Sequence, residues 1–350
     1  MLPGIFPTKY EKDMAIVRTK TQWLVVLASL AIVFTLPLWW SGYWLSWSIT
    51  VCVWIIAVLG LHILTGLTGL FSIAQGAFMA VGAYTTAILT SRLDWSPWVT
   101  LPFSAIAAGL VGILIGIPSL RIKGFYFAMA TIAASFLITW LLGYSEHWTG
   151  GTKGMYVDRP KLGGIDFGQP GNYFYPAIIL TVVMIVLMKN IHRTKTGRAL
   201  IAVRDNDLAA QVMGVSLFRY KSIALFIGSA YAGIAGWLWA HFIVVVSPDQ
   251  FGLTVSVWML GALFIGGMGS TAGAVAGAVA LKLLDMLTNY ITPVMSDAFP
   301  SISINLLAYT GTIIYALVLI VFIILEPRGL HHRWEILKST YRLFPYSYQG

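Results

Sequence analysis

Apolar residues in this chain come in long continuous runs, and polar residues collect in the short gaps between them. Ten runs stand out, at roughly 23–40, 45–65, 69–90, 97–118, 124–143, 174–188, 222–243, 254–268, 273–288 and 301–325. Each is about 15–25 residues, or roughly 22–38 Å as a helix, near the thickness of the hydrocarbon core of a bilayer. Lipid leaves only helices and closed barrels with their backbone groups satisfied, and a barrel strand alternates in polarity. Continuous runs therefore predict an all-α, polytopic membrane protein with about ten transmembrane helices. Gly and small polar residues interrupt the third run and the pair at 254–288, which leaves the boundaries at 66–90 and 254–288 least defined.

Composition agrees: 58% of the 350 residues are hydrophobic and only 10% charged, against about 25% charged in soluble domains. The first run follows a charged lead and is too long for the apolar core of a signal peptide, so it reads as a retained membrane helix. The expected organisation is a cytoplasmic N-terminal segment (1–22), a transmembrane domain (23–325) and a cytoplasmic C-terminal tail (326–350). Within the domain lie an external Gly- and Pro-rich loop at 144–173 and a charged cytoplasmic segment at 189–221. With the N-terminus inside, the inside segments hold seventeen of the 22 Lys and Arg residues and the outside segments four, with Lys282 inside a span. That bias supports N-in, C-in and an even number of spans. It assigns the net charge of +9 to topology and anionic lipid, leaving little for a nucleic-acid partner. Cys52 is the only cysteine and lies in an apolar run, which excludes a disulfide framework or a thiolate metal site.

The segment "TGRALIAVRDNDLAAQVMGVSLFRYK", Thr196–Lys221, is too polar for lipid yet has helical spacing. Gly197 offers a break before the helix and Gly214 a stop after it. Asp205–Asn206–Asp207 predicts a bend, capping a second short helix over Leu208–Met213. A plain reading is a solvated connection obeying the charge bias. A sharper one is a docking element for a cytoplasmic partner, because Ala209 and Ala210 permit close approach and Gly214 ends the helix.

The stretch Leu208–Ala209–Ala210–Gln211–Val212–Met213–Gly214 is similar to the E-A-A-x-x-x-G coupling motif of permease subunits in ATP-binding-cassette importers, with Leu208 at the acidic position and Asp207 just before it. Over about residues 45–330 the chain resembles the permease subunits of branched-chain amino acid importers, LivM-type. "GLTGLFSIAQGAFMAVGAYTTAIL" (Gly66–Leu89), "TGGTKGM" (Thr149–Met155), the coupling segment, "FIGGMGSTAGAVAGA" and "EPRGL" occur in the family's order, with Lys153 where a neutral or acidic residue is usual. The resemblance implies a bacterial-type inner (plasma) membrane protein that binds no cofactor itself. It also implies a second homologous permease subunit, two cytoplasmic ABC ATPase subunits that bind ATP, and an external solute-binding protein. Branched-chain or other hydrophobic amino acids are the implied cargo, with urea or short amides as an alternative. Arg198, Arg204, Asp205, Asp207, Leu208, Ala209, Ala210 and Gly214 are then the expected coupling residues.

Polar and glycine positions within the spans supply the candidates for a translocation path: Ser72, Gln75 and Gly76, then Asn305, then Gly266, Gly267 and Gly269. Glycines equally serve close helix packing, and His62 or Asn305 equally bonds a neighbouring helix. Lys282 and Asp285, three apart, can pair on one helix face. No G-x-x-x-x-G-K-[ST] occurs, so the chain has no P-loop of its own, and no H-E-x-x-H or G-x-S-x-G supports an enzyme. A self-sufficient secondary transporter is the competing class; ten spans and the lack of a lone buried acid count against it. A membrane enzyme would have only His62, Lys282 and Asp285 to work with.

Overall fold

The computed structural model describes residues 20–40, 42–119, 124–162, 165–298, 304–326 and 329–343. A helix lies on each predicted run: α1 (Lys20–Trp39), α2 (Gly42–Leu61), α3 (Gln75–Leu93), α4 (Pro97–Ser119), α5 (Phe125–Tyr144) and α6 (Pro170–Arg193) come first. The charged segment forms α7 (Lys195–Asp205) and α8 (Asp207–Val212). Then follow α9 (Leu217–Ile243), α10 (Leu253–Gly266), α11 (Thr271–Ala298), α12 (Ile304–Leu325) and a tail helix, α13 (Leu330–Leu343). Among the described residues, seven helical segments are long and apolar enough to cross a membrane, or eight if α12 and α13, bent by 45° to each other, are one span. The protein is a polytopic helical membrane protein, and ten is an approximate count of its spans. Gln75 and Arg92, with several Gly and Thr residues, keep α3 outside those seven.

Two predicted boundaries shift for physical reasons. The run at 69–90 becomes helical only at Gln75, because α2 ends in a π-helical turn, His62–Leu67, and residues 68–74 are not helical. Gly69 takes a φ of +73° there, which a residue with a side chain rarely adopts. Helices α6 and α9 also reach past their apolar runs, since polar residues continue a helix into water. The connection between them outside these helices is 194–216, narrower than expected, and the opposite loop is 145–169.

Helix α9 is the centre of the fold, packed along α4, α3 and α2. Small residues make these contacts possible: a Cβ on Gly82 of α3 would strike the Gly233 backbone, and one on Gly60 of α2 would lie 2.5 Å from the Gly228 carbonyl. In lipid such backbone approach replaces the hydrophobic drive with van der Waals contact. Longer polar side chains tie the outer layer on. Tyr231 Oη donates to the Met184 carbonyl at 3.1 Å, Tyr173 Oη to Leu238 at 2.8 Å, and Trp237 Nε1 to Pro97 at 2.9 Å. The main apolar window of α2 is 94% buried, whereas those of α4 and α5 are 33% buried, which makes α2 interior and leaves α4 and α5 faces for lipid or another chain.

Contacts sort the connections onto two ends. At one end α7 meets the α2–α3 break, and Gly329 packs on Gly267 between α10 and α11. At the other, β1 (Met155–Tyr156) pairs antiparallel with β4 (Val245–Val246), and β2 (Lys161–Leu162) with β3 (Ile165–Asp166). Ser91 Oγ there donates to the Tyr156 carbonyl, and Arg92 donates to that of His147.

Candidate functional site

The charged segment folds as two short helices with a bend, as its sequence predicts. Thr194 caps α7, its hydroxyl accepting the Gly197 amide at 3.3 Å. Gly197 thus lies in the first turn, not before it, and its missing side chain lets α7 close onto the Ile191 carbonyl. Asn206 makes the bend: its Oδ1 accepts the amides of Leu208 and Ala209, both at 3.0 Å. Gly214, at φ +83°, ends α8 in a Schellman turn, with Val215 N–H on the Ala210 carbonyl at 2.9 Å and Gly214 N–H on Gln211 at 2.9 Å.

The side chains of this segment divide into two sets. Leu200, Val203 and Ala210 are buried against the spans. Arg204 Nη1 donates to the Gly66 carbonyl at 2.8 Å, in the last turn of the π-helical stretch, and the guanidinium also pairs with Asp205 at 2.9 Å. Asp207 pairs with Lys221 at the start of α9, at 3.0 Å. These charges fasten the segment to the membrane domain. Facing away are Leu208, Val212 and Met213, exposed by 68%, 86% and 83%, joined by exposed Phe218, Ala209 and Gly214. Arg198 is exposed and donates to the Arg193 carbonyl. Val212, Met213, Phe218 and Lys221 were not on the expected coupling list. A polar cavity of about 250 Å³ lies between the segment and the span break, lined by Thr68–Phe71, Gly124, Phe127, Val203–Asp207 and Lys221.

That break runs into the protein interior. Backbone outside a helix survives at membrane depth only where protein satisfies it. Here Leu70 N–H bonds the Leu64 carbonyl at 2.9 Å, Ile73 N–H the Thr131 hydroxyl at 3.0 Å, and Gly76 N–H the Ser256 hydroxyl at 2.9 Å. Gln75 is fully buried, its amide donating to the Ala57 carbonyl of α2 at 2.9 Å and to Gly228 of α9 at 3.3 Å. Since Ala57 lies ten residues before the end of the α2 stretch, the chain climbs back roughly 15 Å before α3 begins. Ser72, Gln75 and Gly76 are thus gathered where α2, α3, α9 and α10 meet.

The other candidates lie elsewhere. Gly266 and Gly267 are buried in a joint: a Cβ on Gly266 would strike the Gly273 carbonyl, and one on Gly277 the Ala262 carbonyl. Gly269 is exposed in the α10–α11 turn, at the same end as α8. The side chain of Asn305 lies outside the described residues. Lys282 and Asp285 pair at 3.0 Å, and the ammonium stands 4.4 Å from the centre of the Trp54 ring. Among the described residues no cluster of His, Cys, Asp or Glu is placed to hold a metal ion.

A family model described as branched-chain amino acid transport system, permease component, matches residues 43–323, from α2 through α12. The chain belongs to this family. The permease is 31% identical over 287 residues to the high-affinity branched-chain amino acid transport system permease protein LivM of Salmonella typhimurium, covering 75% of this chain and 68% of that one. It is 32% identical to the LivM of Escherichia coli K12, over 65% of this chain and 60% of that protein's length. The ribose import permease protein RbsC of the same strain is 25% identical over 63% of this chain and 77% of its own. No solved structure matches. The family is one of transport permeases and not of enzymes. The match leaves out α1 and α13.

Proposed function

We propose that this chain is the membrane-spanning permease subunit of an ATP-driven ABC importer, which carries branched-chain or other hydrophobic amino acids inward. One of two cytoplasmic ATPase subunits docks on α8, a second homologous permease subunit completes the path and receives the other, and an external binding protein delivers the cargo. The basic end, with α7, α8 and α13, faces the cytoplasm, so both termini are cytoplasmic in an inner membrane. One observation carries the reading: α8 offers an uncovered apolar tip while Arg204 beside it fastens the segment to the α2–α3 break and Asp207 fastens it to α9. A merely solvated loop needs neither. Motion at the tip thereby reaches Gly66 through Arg204, and from there the buried Ser72–Gly76 stretch that we assign to the path.

Two measurements test this. Native-membrane purification of the tagged chain should retain two ATPase subunits and a second permease at stoichiometric level. Recovery of the chain alone, transporting in liposomes without ATP, would establish a secondary carrier instead. Ala209→Asp and Gly214→Val, on the exposed face and at the left-handed residue, should leave insertion intact and uncouple ATP hydrolysis from uptake. Normal coupled uptake in both sinks the docking assignment. The competing cargo, urea or short amides, is decided by competition against labelled leucine uptake in the assembled importer.

A further inference from the structure

We propose that α13 lies on the cytoplasmic leaflet and binds anionic lipid headgroups; this rests on the reading that its end of the protein is cytoplasmic. At 3.6 residues per turn Leu330, Trp334 and Leu337 fall within about 60° of one another, a single narrow stripe. Trp334 and Leu337 on that stripe are 65% and 63% exposed, whereas Leu330 at its root is half-buried. Arg333 borders the stripe on one side, and Lys338 on the other. Glu335 is the only acid within α13, and His331 faces it at 3.4 Å. An apolar strip with Trp at its centre and cations on both flanks is the pattern of a helix seated at a lipid interface.

Two further features select the bilayer over a protein as the occupant. Exposed Ile324 and Leu325 end the outer apolar face of α12 only a few residues before α13 starts, with a 45° bend between the two helices. The stripe therefore begins where the hydrocarbon surface stops. Position is also fixed: a Cβ on Gly329 would lie 2.5 Å from Gly267, and Arg333 pairs with Glu326 at the end of α12. Flanking cations complement the negative surface of a cytoplasmic leaflet.

Cys52 is the only cysteine and is buried, so single cysteines for spin labels can be introduced without removing others. The full-length chain carrying Trp334→Cys, Glu335→Cys, Leu337→Cys or Ser339→Cys is placed in discs of phosphatidylcholine, with or without phosphatidylglycerol. The expected result is oxygen contact at 334 and 337, contact with a water-soluble nickel complex at 335 and 339, and sharper contrast with phosphatidylglycerol present. Exchanging Lys338 for Gln, which leaves the Arg333–Glu326 pair in place, should lower the lipid-seated population about fivefold in those discs. Equal nickel contact at all four positions overturns the proposal. So does shielding of 334 and 337 from both reagents in the assembled complex, which would make the occupant a protein. An impermeant thiol reagent applied to Leu337→Cys in sealed vesicles of known orientation reports the end separately, so a failure of topology is told apart from a failure to bind lipid.

Discussion

Replacing Arg204 with Met removes one side chain that joins the docking segment to the span break. Its Nη1 reaches the Gly66 carbonyl at 2.8 Å, and the side chain is 34% exposed. A hydrogen bond from a charged donor contributes about 1.5–3 kcal/mol, and partial exposure with a competing Asp205 places this one near the lower figure. A loss of ~1.5 kcal/mol is about tenfold in the population of the fastened arrangement. The methylenes of Met keep most of the packing against Gly69, so the fold should hold. In the reconstituted importer, ATP hydrolysed per solute taken up should rise roughly tenfold, with Arg204→Lys in between because an ammonium lacks the planar reach of a guanidinium. Subunit retention on purification is the control. An unchanged ratio of hydrolysis to uptake in Arg204→Met, with the complex intact, refutes a transmitting role for this contact.

Other expectations concern separate parts of the molecule. Asn206→Ala should cost about 1 kcal/mol locally, seen as severalfold faster hydrogen exchange at the Leu208 and Ala209 amides that its side chain caps. Val212→Glu with Met213→Glu should abolish ATPase retention and leave the thermal midpoint of the permease unchanged. Gly277→Val drives a side chain into the Ala262 carbonyl and should eliminate the monodisperse protein on gel filtration, while Gly42→Ala, with open space at its Cβ, should be tolerated. Asp285→Asn leaves Lys282 buried without its partner, so it should destabilise more than Asp285→Asn combined with Lys282→Met; equal midpoints for the two would refute the pairing argument.

Much of the architecture was legible in the sequence because apolarity over 15–20 residues is a local property. The bend at Asn206 and the stop at Gly214 were equally legible, since caps act within a turn. What stayed hidden depends on distant partners. Nothing near Ile73 in sequence indicates that the Thr131 hydroxyl will accept its amide, so a helix was expected from residue 69. Arg204 reads as one charge among several in its segment, and its inward reach follows only from where Gly66 ends α2. Val212 and Met213 read as apolar positions of a helical period; their exposure follows from α8 being too short to turn that face back onto α9. Gly266 and Gly267 read as small residues in an apolar run, and the Gly273 and Gly277 backbones packed against them follow only from the fold.

The packing of α3 also bears on the order in which the chain is built. Too polar to be held by lipid alone, α3 has its Gly82 face against Gly233 and its first turn against Ala57 and Gly228. Two of those three partners belong to α9; Gly228, for one, is made 153 residues after the Gln75 it meets. Until then α2, α3 and α4 must wait as a loose cluster with open glycine faces. Newly made chains are accordingly most vulnerable to membrane quality control between the completion of α4 and the arrival of α9, and a substitution that widens Gly233 or Gly228 acts by prolonging that interval as much as by weakening the finished protein.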